Sequence, residues 1–145
     1  CEVASLYCMR RMSVEWRTNA PYENWRSYAP LLRDYTDEIE RTRHDYLEIM
    51  RTGMPAYYQK HARHLSSNGT DREKNGAMAL VLLAAFERQP QHWNAIRWLN
   101  SSPSPKGETF PQYLLKWQRA APPKHSAFIS SIASLYGLSL EEDLK

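Results

Sequence analysis

Glycine is scarce in this chain of 145 residues, with five against nine prolines. That leaves no Gly-rich loop to cradle phosphate, and no G-x-x-x-x-G-K or G-x-S-x-G occurs. Cysteine is scarcer still. Cys1 and Cys8 are the only two, which excludes both a disulfide framework and a Cys-based zinc site. No apolar run approaches the ~20 residues that a membrane-spanning helix needs. No long block of one charge sign exists either, and the net charge is +3. A nucleic-acid binder more often gathers its Lys and Arg on one face. No H-E-x-x-H is present and no repeat recurs at a fixed period. No metal, no cofactor and no compact catalytic motif is expected, which leaves an enzyme only if its site is dispersed.

What is present points to helices. Apolar residues make up 42% of the chain, enough for a core, and aromatics 12%, with five Trp and nine Tyr. The longest apolar run is Ala77–Phe86 within GAMALVLLAAF. Ten residues is too long for an ordinary buried strand, and Ala and Leu favour helix. Thr70-Asp71-Arg72-Glu73 fits a capping box with Thr70 as the cap, and Pro90 sets the latest stop. The expectation is a helix over about 71–88, apolar all round in its middle and therefore surrounded by other elements. Leu80, Leu83 and Phe86 are expected to be fully buried.

The other helices follow from periodicity and punctuation. A first helix is read over 3–17, broken by Pro21. The longest helical region runs over 22–52. Trp25, Tyr28, Leu32, Tyr35, Ile39, Thr42, Tyr46 and Ile49 alternate spacings of three and four, which reads as a core-facing seam. A short turn is expected before Pro30 and one continuous helix after it, ended by Gly53. Pro55 opens a third helix toward Leu65, and Pro90 a fifth over 91–100. SSPSPKG, residues 101–107, is the clearest loop. Thr109 and Gln112 fit a second capping box opening a sixth helix. Pro122-Pro123 separates it from a seventh, with Gly137 and Leu138 as a Schellman end. The expected architecture is all-α: six or seven helices in one domain over 1–138, and an acidic tail over 139–145.

Several constellations invite a functional reading. His61 and His64 lie at i, i+3, but nothing nearby supplies further metal ligands. Glu40, His44 and Glu48 are four apart and read as a solvated face. Trp93, Trp98 and Trp117 come from two helices flanking the Pro-rich loop. They are the candidate partner-binding residues, forming an inter-helix groove for a helix or peptide segment of another protein. Arg10, Arg11, Arg17 and Arg26 are the candidate phosphate-binding residues of an alternative, a helical nucleic-acid or phosphate-binding module.

The chain opens at Cys1 without an initiator Met, and two readings stand. In one, the first residue is an arbitrary domain edge. In the other, the chain resembles a mature bacterial lipoprotein, which is cleaved immediately ahead of a Cys that carries the lipid. On that resemblance Cys1 is the lipid-attachment site and the membrane is a partner through it. The leading expectation is then a non-enzymatic, membrane-anchored protein of the bacterial cell envelope. Its helical domain would bind a protein partner in assembly, secretion or transfer.

Overall fold

The computed structural model describes residues 1–140 and is all-helical, with no strand among them. Seven α-helices are α1 (Glu2–Glu15), α2 (Tyr28–Thr42), α3 (His44–Thr52), α4 (Met54–Ser67), α5 (Arg72–Arg88), α6 (Phe110–Ala120) and α7 (Ser126–Leu135). Three 3₁₀ segments lie at Glu23–Ser27, Pro90–Trp98 and Pro123–His125. Of the acidic tail expected over 139–145, Ser139 and Leu140 are non-helical and residues 141–145 lie outside the described residues. The residues group into two compact units, the first Cys1–Glu87 and the second from Arg88 onward.

In the first unit α5 is the most buried element. Gly76, Ala77, Met78, Ala79, Leu80, Leu83, Ala85 and Phe86 are all buried along it. Leu80 and Leu83 pack with Leu6 of α1, and Val3, Tyr7, Met9, Ile39 and Tyr46 close around them. Each fully buried Leu contributes about 1.5–3 kcal/mol. The N-terminal cap differs from expectation by one residue. Asp71, not Thr70, accepts from the Lys74 amide at 3.0 Å, while Thr70 Oγ1 donates to Asn68 Oδ1 at 3.2 Å. Glu73 turns outward to accept from the Asp45 amide of α3 at 3.3 Å. A carboxylate is as good a cap as a hydroxyl, and this one leaves Glu73 free to serve a neighbouring helix start.

The expected seam over 25–49 is corrected by the structure in two ways. First, α2 starts at Tyr28 and runs through Pro30, which falls in the first helical turn. There the missing amide costs nothing, because the first four amides have no intrahelical partner. Second, the helix does not continue to Gly53. It breaks at Arg43, whose backbone is extended at φ −79 and ψ 97, and α3 begins at His44. The buried line on α2 is Ala29 and Thr36, both 0% exposed, and not Tyr28 and Tyr35, which are 50% and 58% exposed. The helix packed most closely on α2 is α1, whose buried residues are Leu6 and Ser13. Each helix thus buries two residues seven apart, and three of the four, Ser13, Ala29 and Thr36, are small. Small side chains let two backbones approach, and a Tyr on that line would hold them apart. The tyrosines are displaced to the flank. Gly53 ends α3 at φ +85, a conformation that a Cβ disfavours.

The second unit is built from the Pro90–Trp98 segment, α6 and α7. The fifth helix, expected over 91–100, is this 3₁₀ segment of nine residues. The Thr109 capping box is present: the Thr109 amide donates to Gln112 Oε1 at 2.9 Å and the Gln112 amide to Thr109 Oγ1 at 3.4 Å. The Schellman end is present too. Gly137, at φ +72, donates to the Ser134 carbonyl, and Leu138 to that of Ala133.

Candidate functional site

The four candidate arginines do not form one site. Arg10 is enclosed by carboxylates: its Nη2 lies 2.5 Å from Glu40 and its Nη1 3.2 Å from Glu87. It ties α1 to α2 and α5. Arg11 pairs with Glu15 on its own helix at 2.6 Å. Arg17 and Arg26 are exposed, and neither is in an ion pair among the described residues. They sit at the turn between α1 and α2, beside an aromatic cluster. The rings of Trp16 and Trp25 are 5.2 Å apart, and Tyr22 meets Trp25 edge-on at 5.0 Å.

The three candidate tryptophans differ in exposure. Trp117 is 4% exposed, and its indole donates to the Ala95 carbonyl at 2.8 Å. That bond satisfies a buried carbonyl between the 3₁₀ segment and α6, so Trp117 is a core residue and not a partner contact. Trp93 and Trp98 are half-buried, and Arg97 lies 5.8 Å over the Trp98 ring. A surface depression of about 410 Å³, open to solvent, is lined by Gln112, Leu115, Lys116, Arg119 and Ala120 of α6.

The remaining candidates are dispersed. His64 Nε2 bonds to Asp71 Oδ2 at 2.8 Å, while the His61 ring lies tilted against the Tyr57 ring with centroids 4.6 Å apart. Glu40, His44 and Glu48 share no continuous helix, because the chain breaks between them at Arg43. No group of three or more His, Cys, Asp or Glu side chains is placed to hold a metal among the described residues. Cys1 and Cys8 are free and exposed. No described helix is long and apolar enough to cross a membrane.

Two polar clusters were not foreseen. In the first unit Asp45 of α3 accepts from the Tyr57 hydroxyl at 2.8 Å and from Lys74 at 3.1 Å. Burial works against the Asp45 carboxylate, but these two donors outweigh it and hold its pKa below the usual value. The same bond raises the pKa of Lys74. Burial first, and the Asp45 bond second, push the Tyr57 hydroxyl far upward, so it stays a donor. In the second unit His92 Nδ1 and His125 Nδ1 are 2.9 Å apart. His125 is 2% exposed, and its Nε2 is buried without a partner. A bare nitrogen there costs less than an orphaned N–H. His125 therefore carries its proton on Nδ1 and donates to His92. Burial, then His92, then Lys124 lower the His125 pKa. Both clusters join residues far apart in sequence, so no local spacing signals them.

An exposed apolar stripe also escaped periodicity. Along one side of α2, Tyr28, Leu31 and Tyr35 are 50%, 59% and 58% exposed. At spacings of three and four they form a single stripe, with half-buried Leu32 at its inner edge. The available signal was the small-residue pair Ala29 and Thr36, one position on from each Tyr.

Comparison with protein-family models, curated proteins and solved structures finds no match in any of the three.

Proposed function

We propose that this chain is a non-enzymatic helical module that binds a protein partner, and that it does so through the outer face of α2. The observation that carries the reading is the exposed stripe Tyr28, Leu31 and Tyr35. Contiguous exposed apolar side chains on a helix mark an interaction surface, unlike single scattered ones. Tyr, Trp and Arg dominate the residues that contribute most to binding energy. The stripe continues toward Tyr22, itself 62% exposed, and toward the exposed Arg17 and Arg26.

Protein is favoured over nucleic acid by the charges around the face. Arg10 and Arg11 are engaged by carboxylates. Residues 34–40 hold Asp34, Asp37, Glu38 and Glu40 and no base, which would repel a phosphate backbone along the same helix. The lipid anchor expected at Cys1 accompanies this proposal as a separate one. Its test is the mass of the N-terminal peptide from the native source, heavier by glyceryl and acyl chains if the anchor exists and unmodified if it does not.

The face itself is tested by photo-crosslinking in the native cell. A benzophenone side chain at position 35 should give a discrete protein adduct. The same group at Ser102, in the exposed loop ahead of α6, should not. Equal labelling at the two positions, or none at 35, removes the proposal.

A further inference from the structure

We infer that the partner of the α2 face is a second copy of this chain, packed with its α2 antiparallel to the first; this rests on the protein-binding reading of that face. The stripe is palindromic. Tyr28, Leu31, Leu32 and Tyr35 are symmetric about the midpoint between Leu31 and Leu32. A twofold axis through that point and normal to the helix places Tyr28 against Tyr35 of the other copy, and Leu31 against Leu32. An interface that uses one patch on both subunits pairs residue i with j and j with i, and here the two members of each pair are the same residue type.

The charges carry the same symmetry with opposite sign. Residues 17–33 contain Arg17, Arg26 and Arg33 with a single acid, Glu23, whereas 34–40 contain four acids and no base. An antiparallel pair sets the basic segment ahead of each α2, with Arg17 and Arg26, toward the acidic end of the other α2, and a parallel pair sets like on like. Arg26, in the 3₁₀ turn just ahead of α2, then lies toward the Asp37 end of the other copy. Asp37 at present has only the within-helix bond from Arg33, at 2.9 Å, and Arg26 is in no ion pair among the described residues. Antiparallel helix dipoles favour the same arrangement. The area is modest. At roughly 100 Å² for a half-exposed aromatic or large aliphatic side chain, the stripe and its flanks bury about 800 Å² over two copies, below the ~1,200 Å² of stable specific interfaces and in the range of weak, transient ones. The dimer is therefore reversible and concentration-dependent, not obligate.

Sedimentation equilibrium of the purified chain from micromolar to millimolar concentration tests this. A reversible monomer–dimer equilibrium is expected. Leu31→Glu, on an exposed position, should leave the helical circular dichroism unchanged and weaken the dimer at least tenfold. Leu31→Ser is the second variant if the first perturbs folding. Orientation is read from charge reversal. Arg26→Glu with Arg33→Glu makes both ends acidic, and Asp34→Lys with Asp37→Lys and Glu38→Lys makes both basic. Each variant alone should be monomeric, and a mixture should dimerise. A chain monomeric throughout, or a dimer indifferent to both Leu31 variants, overturns the inference. So does a mixture that stays monomeric while the unmodified chain dimerises. A monomeric chain whose position 35 still crosslinks to a different protein in the cell overturns only the identity of the partner. Absence of any adduct overturns the face as well.

Discussion

Gly76 is the one glycine inside the buried helix α5, where Gly costs about 0.8–1.0 kcal/mol relative to Ala. Replacing it with Ala would therefore be expected to stabilise the protein, and the structure predicts the opposite. A Cβ at Gly76 would overlap the guanidinium of Arg43 and approach Glu2 Oε1 to 2.8 Å. Arg43 sits at the break between α2 and α3 with its side chain 15% exposed. It lies across the α5 backbone, donating to the Arg72 carbonyl at 2.8 Å and to Glu2 at 2.6 Å. Gly76→Ala would displace it. Hydrogen bonds to charged groups contribute about 1.5–3 kcal/mol, and Glu2 is partly exposed, which favours the lower part of that range. Set against the helix-propensity gain of about 1 kcal/mol, displacing Arg43 leaves a net destabilisation of about 1–2 kcal/mol. In an Arg43→Ala background the clash is gone, and Gly76→Ala should stabilise by about 1 kcal/mol. The sign change yields a coupling of about 2–3 kcal/mol in a double-mutant cycle. Urea denaturation of the four proteins, with the two single and one double variant compared at equal m-value, measures it. A Gly76→Ala change of the same sign and size in both backgrounds would refute the seating of Arg43 on this glycine.

The buried His125, paired with half-buried His92, makes the second unit acid-sensitive. The folded pKa of His125 lies below its ordinary 6.5, so the unfolded chain binds more protons as pH falls through that value. Stability is full above it and declines toward the folded pKa. Hydrogen exchange at amides of α7 should accelerate between pH 7.5 and pH 5 after correction for intrinsic rates, and unchanged protection would count against the pair. Asp45→Ala strands the Tyr57 hydroxyl and Lys74, and should cost about 1–3 kcal/mol in chemical denaturation; a neutral result would show that water replaces the carboxylate. The Asp45 contribution, held by a pKa lowered from 3.8, is present above that value and is lost as pH falls below it. Thr109→Ala removes one half of the capping box and should cost about 1 kcal/mol, whereas Thr70→Ala, outside the α5 cap, should cost little. Equal losses at the two threonines would contradict the observed caps.

Helix positions and ends were largely legible from local chemistry. The run Ala77–Phe86 excludes strand and span by its length and composition, and α5 covers Arg72–Arg88 as the run and Pro90 imply. Thr109 with Gln112, and Gly137 with Leu138, are signals complete within four or five residues, and both close as read. Where two local caps compete, as at Thr70 and Asp71, the choice went to the residue that freed Glu73 for the α3 amide, and that is a tertiary gain. The candidate site was poorly legible. Tyr28 and Tyr35 have the spacing of core residues, and periodicity cannot show whether an amphipathic ring faces in or out. The closeness of α1 and α2 decides it, because Ala29, Thr36 and Ser13 fit that gap and a phenol does not. Likewise Arg43 breaks a helix that its sequence would continue, because Glu2 and the open backbone at Gly76 bind its guanidinium. The sequence alone determined which segments are helical and where most of them stop, since those interactions lie within one turn. Only the tertiary structure decided which faces are buried, which arginines are free and which side chains remain for a partner, since each depends on residues tens of positions away.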